Sequence, residues 1–194
     1  MNAGWILLFL LLIIGIIIFI KYQKNNVVYI TSELDHQPYL VRDLNDKQYA
    51  SNMLAKIKQN IIIITNYLFT NKDKYPDYIE YINQLNTRIK NVEVLESTED
   101  SVYTSYSVNK GEQIVFCLRS RNIRNKLHEF NLLMYVVIHE MSHVACPEYG
   151  HTPLFKKIFA FLIQESINIG MYKRMDFANE PEEYCGMMIT ESIL

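Results

Sequence analysis

Residues 131–146 read NLLMYVVIHEMSHVAC, and the fold turns on them. Leu133, Met134, Val137, Met141 and Val144 recur at the three- and four-residue spacing of a helix and make one apolar stripe. Leu132, Val136, His139 and His143 make a second face, so the helix is expected to be mostly buried, with two imidazoles one turn apart. Side chains at i and i+4 are neighbours on a helix, so both rings can reach one metal ion. Glu140 lies about 100° round the helix from His139. There it can act as a general base on a water without entering the coordination sphere. Two histidines and a glutamate on a mostly apolar helix are costly to bury without such a role.

A catalytic zinc usually takes three protein ligands and leaves one position open. Working outward from the helix, Cys146-Pro-Glu-Tyr-Gly-His-Thr-Pro153 contains two helix breakers, Pro147 and Gly150, which let the chain turn back. Thr152-Pro153 has the form of an N-cap followed by proline in the first helical turn. The next helix is predicted over Pro153 to Ile169, ending at Gly170. His151 therefore lies in the turn before that helix and is the candidate third ligand, with Glu165 and Cys146 as competitors. His36 and His128 have no partner at useful spacing and are expected to be surface or structural residues.

Upstream, the apolar period is three to four over Asp46–Thr70 (Tyr49, Met53, Ile57, Ile61, Ile64, Leu68) and over Pro76–Lys90 (Ile79, Ile82, Leu85, Ile89). Both stretches are expected to be core-packing helices. The period then drops to two in Ser101–Val108 and Gln113–Arg119 around the turn signal Asn109-Lys-Gly-Glu112, which predicts a β-hairpin. Its exposed edge is a candidate for binding an extended peptide by strand addition. Residues 25–45, with VVYI and YLV between polar stretches, read as a tether with short extended pieces. The domain proper is then 46–194, of class α+β.

At the N-terminus, Trp5–Ile20 reads WILLFLLLIIGIIIFI without a charge. Residues 3–22 as a helix would be about 30 Å long, the thickness of a bilayer core, so 1–24 is expected to be a single-pass anchor in contact with lipid. A cleavable signal peptide would want a basic residue before this run and a small-x-small site after it, and neither is present. Lys21 and Lys24 follow the span and no charged side chain precedes it, which predicts a cytosolic domain on a viral or host membrane. Three widely spaced cysteines, Cys117, Cys146 and Cys185, are expected to be reduced and buried. The net charge of −2 gives no global field for nucleic acid. A composition rich in Asn, Ile, Lys and Tyr suits an AT-rich genome such as that of a large DNA virus.

The run HEMSHVACPEYGHTPLFKKIF, residues 139–159, resembles the active-site region of the SprT-like and WLM zinc metallopeptidases. They share HExxH, a third histidine in a following turn, and an aromatic residue four positions later, here Phe155. The resemblance implies a zincin-like fold, one Zn²⁺ on His139, His143 and His151, Glu140 as the catalytic base, and a protein or peptide substrate. Seven residues separate His143 from His151, a longer gap than the usual WLM spacing. Relatives in the group often act on DNA-bound proteins, a substrate that the charge and anchor of this chain give no reason to carry over. Such enzymes often use a tyrosine to stabilise the oxyanion. Tyr184 is the candidate, with a packed tail residue as the alternative, and Met187 or Met188 is the candidate floor beneath the metal. Two rival readings are a deformylase-type hydrolase using Cys117 as a ligand, and a membrane-tethered structural or interaction protein with a zinc site but no turnover.

Overall fold

The computed structural model describes residues 4, 8–16, 27–123 and 125–194. Residues 8–16 are helical (α1), and the other elements are β1 (Val27–Thr31), β2 (Pro38–Arg42), α2 (Lys47–Thr70), α3 (Ile79–Ile89), β3 (Glu93–Glu96), β4 (Ser105–Val108), β5 (Gln113–Phe116), α4 (Phe130–Ala145), α5 (Pro153–Asn168), β6 (Glu182–Tyr184) and β7 (Met187–Ile189). About half of the expected anchor, 3–22, lies outside the described residues. No helix among the described residues is long and apolar enough to cross a membrane.

Helix α4 is the centre of the molecule. Leu133, Met134, Val137, Met141 and Val144 are fully buried, each contributing about 1.5–3 kcal/mol of burial. They meet three helices: α2 through Ile57, Ile61, Ile64 and Leu68, α3 through Ile82, Leu85 and Ile89, and α5 through Phe155, Ile158 and Leu162. Tyr49 is 62% exposed and so drops out of the expected stripe. It lies in the first turn of α2, before that helix reaches the core. Helix α5 starts as its cap predicts, with Thr152 Oγ1 accepting from Phe155 N at 3.2 Å. Pro76 opens a single 3₁₀ turn, Pro76–Tyr78, rather than α3 itself.

The main sheet has the order β3-β5-β4, with β3 parallel to β5 and β4 antiparallel to it. The predicted hairpin is therefore β4–β5, and β4 is an edge strand. Its turn takes left-handed backbone at Asn109, Lys110 and Gly111 (φ 48°, 57° and 118°).

Two expectations need correction. The short extended pieces expected within 25–45 are strands β1 and β2, but they are not a tether: they pair as an antiparallel hairpin, and Tyr39 and Val41 enter the core at 3% and 0% exposure. The backbone N–H of Arg42 donates to Glu96 Oε2 at 2.7 Å, fixing the hairpin to β3. Nor are all three cysteines reduced: Cys117 and Cys185 form a disulfide, and Cys146 alone is a free, buried thiol. The pairing joins residues 68 apart and is set by tertiary placement, which spacing alone does not reveal.

Candidate metal centre

His139 and His143 project from α4 into a cleft of about 1000 Å³, and His151 faces them from the turn before α5. The three Nε2 atoms form a near-equilateral triangle with sides of 3.2, 3.2 and 3.1 Å. Tetrahedral zinc with bonds of about 2.0–2.1 Å sets its nitrogen ligands about 3.3 Å apart, so the spacing suits one shared ion. Hydrogen bonding alone does not account for the triangle. The Nε2 of a neutral ring either donates or accepts, so among three mutual contacts at least one pairs like with like. Burial pushes His139 down to about 3 and His143 down to about 4, with the neighbouring imidazoles adding to both. The two helix-borne rings are thus neutral, the form that ligates a metal.

Phe155 is the common backing of the three rings. It stacks on His143 at 4.2 Å and meets His139 and His151 at 5.1 and 4.9 Å between centroids. Phe159 closes the other side of His139 at 5.1 Å. Aromatic walls of this kind fix ring orientation and keep the site in a low dielectric.

Glu140 lines the same cleft and is 4% exposed. Burial raises its carboxyl to about 8, near the neutral range in which a general base works best. Tyr184 reaches the cleft from β6. Its hydroxyl hydrogen-bonds Ser105 Oγ on the edge strand at 2.6 Å, and its ring tilts against His128 at 5.0 Å. Burial pushes the phenol well above its ordinary value and the Glu140 charge adds to this, so the hydroxyl stays protonated.

The other candidates fall elsewhere. Glu165 accepts from Tyr75 Oη at 2.6 Å, and Cys146 is fully buried; neither belongs to the histidine cluster. Cys117 is held in the disulfide and is unavailable as a ligand, which removes the deformylase-type reading. Met187 lines the cleft but is 54% exposed, and Met188, equally exposed, does not line it; neither forms a buried floor, because Met187 sits on the surface hairpin β6–β7, paired with Tyr184. His36 is exposed in the β1–β2 turn, and buried His128 accepts the Cys185 N–H at Nε2. The sequence reading missed Ser105, Phe159 and the cleft-lining tail residues Ile189 and Ile193. The period-two alternation around Ser105 was the one signal that could have placed it on the cleft edge.

No protein-family model matches the chain. Among solved structures, the fold is similar to that of Wss1 from Saccharomyces cerevisiae. The TM-score is 0.50 at 18% identity, over 68% of this chain and 87% of that one. An uncharacterized protein of Invertebrate iridescent virus 6 is 24% identical over 153 residues, 78% of this chain and 79% of its own length. An uncharacterized protein of Acanthamoeba polyphaga mimivirus is 44% identical over 186 residues, 95% of this chain and 94% of its own. At that identity and coverage, the chain belongs to the same family as the mimivirus protein.

Proposed function

We propose that this protein is a membrane-anchored, zinc-dependent peptidase that cleaves an extended polypeptide lying along β4. The observation that carries the reading is the convergence of three imidazoles beside a buried carboxyl, all facing one open cleft. The fold shared with Wss1 and the resemblance of residues 139–159 to the WLM zinc metallopeptidases support it.

His139, His143 and His151 would hold the ion, which when bound supplies a Lewis acid that activates water and polarises the scissile carbonyl. Glu140 would take the proton of the attacking water and return it to the leaving amine. Its high proton affinity in the buried site suits both transfers. Tyr184, protonated and held by Ser105, donates a hydrogen bond to the developing oxyanion. Edge strand β4 offers free backbone groups to an added strand. The anchor part of the proposal rests on the uncharged run Trp5–Ile20, and the cytosolic side on Lys21 and Lys24. The cysteines lend the cytosolic side no support, since Cys117 and Cys185 are disulfide-bonded.

The test is metal content and cleavage of an unfolded protein substrate by the full chain. About one zinc per chain is expected, lost or weakened in His151→Ala. Glu140→Gln should keep the zinc and lose about 10²–10⁴-fold in turnover. Zinc without cleavage by the wild type would instead favour the non-catalytic, interaction-protein reading. The anchor predicts that the full chain stays with membranes after an alkaline wash, and release into the supernatant would refute it.

A further inference from the structure

The seven residues between His143 and His151 include Pro147 and Gly150, and Gly150 is in the left-handed region at φ 77°. The third ligand thus hangs on an irregular loop whose position must be set from outside. The β4–β5 turn sets it. A Cβ on Gly111 would come within 3.0 Å of Val144 Cγ1 and 3.4 Å of Arg88 backbone and side-chain atoms, so the turn is pressed against the end of α4. Lys110, beside it, sends Nζ to Cys146 O at 2.9 Å and Glu148 O at 2.8 Å, with His143 O at 3.5 Å. The same ammonium lies 4.3 Å from the centroid of the Tyr149 ring.

The other cappers of α4 act within the helix. Arg88 Nη1 donates to Val144 O at 2.7 Å, and Gln84 Nε2 donates to Ala145 O at 2.8 Å. Lys110 spans the helix end and the loop together. A lysine ammonium carries three donors, and a cation is favoured at a helix C-terminus. Lysine at φ 57° is an uncommon backbone state for a residue with a side chain, and it brings the ammonium to these carbonyls.

We propose that Lys110 is the positioning residue for the third metal ligand: it clamps the loop over residues 146–149 and so holds His151 against His139 and His143. The inference rests on the zinc reading above for its metal readout, but not for its loop readout.

The experiment compares full-chain Lys110→Met, Lys110→Arg and Gln84→Ala with the wild type. Zinc affinity is measured by chelator competition, and amide hydrogen exchange over 148–151 is measured on metal-free protein. Lys110→Met keeps the aliphatic stem and should raise the zinc Kd about 10- to 100-fold, as loss of a supporting residue around a metal site typically does. It should also speed exchange over 148–151. Lys110→Arg should restore most of both, and Gln84→Ala should leave the Kd within about twofold. An unchanged Kd in Lys110→Met, or an equal loss in Gln84→Ala, overturns the proposal. If the wild type binds no zinc, the metal reading fails by itself. The clamp then stands if metal-free Lys110→Met exchanges faster over 148–151, and falls if exchange is unchanged.

Discussion

Tyr184 concentrates the residue-level question, because core packing and a part in chemistry are both open to it. It is 2% exposed, its ring lies against His128, and its hydroxyl bonds Ser105 while bordering the cleft with Glu140. A side chain serving only as filler loses little when the hydroxyl is removed and the ring kept. An oxyanion donor loses the stabilisation made in the transition state. Tyr184→Phe is therefore expected to retain zinc and fold while kcat falls about 10²–10³-fold, the usual loss for one oxyanion donor. Steady-state cleavage with parallel zinc analysis checks this. A kcat within about threefold of wild type would assign Tyr184 to packing. The tyrosine was hard to place from sequence because the short tail has no periodicity to read. His139, Glu140 and His143 were easy, since their relation is fixed by one helix. His151 needed the extra inference of a Pro- and Gly-broken turn closed by a Thr152 cap.

At the scale of elements, helices and the tight hairpin were legible because their determinants are local. Asn109-Lys-Gly-Glu112 supplies left-handed backbone at the turn, and the stripe of α4 has a helical period. Strand β3 is four residues with glutamate at both ends, and it gains its place only by lying parallel to β5, so nothing local marks it. The three-residue strands β6 and β7 are equally silent, and so is the disulfide that ties their turn to the end of β5. That crosslink adjoins Tyr184, and the neighbouring N–H of Cys185 donates to His128. Closing so long a loop restricts the unfolded chain by about 4 kcal/mol in the loop-entropy account. Cys117→Ser/Cys185→Ser is expected to be about 2–4 kcal/mol less stable. It should also turn over more slowly at unchanged zinc content, because Tyr184 loses one of its restraints. Thermal denaturation and cleavage assays on wild type with and without a dithiol reductant provide the comparison. A variant with wild-type melting and wild-type kcat would refute the restraint.

For the whole molecule, the decisive feature is how the N-terminal hairpin joins the helical core, which a reading of 25–45 as tether left out. Arg119 is 2% exposed and makes three contacts at once. Its Nε meets Glu96 Oε1 at 2.7 Å, and its Nη1 meets Asp46 Oδ2 at 2.7 Å and Asn125 O at 3.0 Å. Glu96, also buried, uses its other oxygen to accept the Arg42 N–H. The start of α2, strand β3, the loop after β5 and strand β2 therefore meet on one buried ion pair. Burying two charges is costly, and their attraction repays it only while both remain. Arg119→Met is expected to destabilise the fold by about 3–5 kcal/mol, because Glu96 is left buried without its counter-charge. Adding Glu96→Leu should recover only part of that loss. It removes the stranded charge but leaves the Arg42 N–H without its acceptor, at about 1–3 kcal/mol. Urea denaturation of the two single variants and the double variant measures the coupling. Full recovery in the double variant would mean that the hairpin is held by the packing of Tyr39 and Val41 alone. Additive losses would mean that the pair is not coupled.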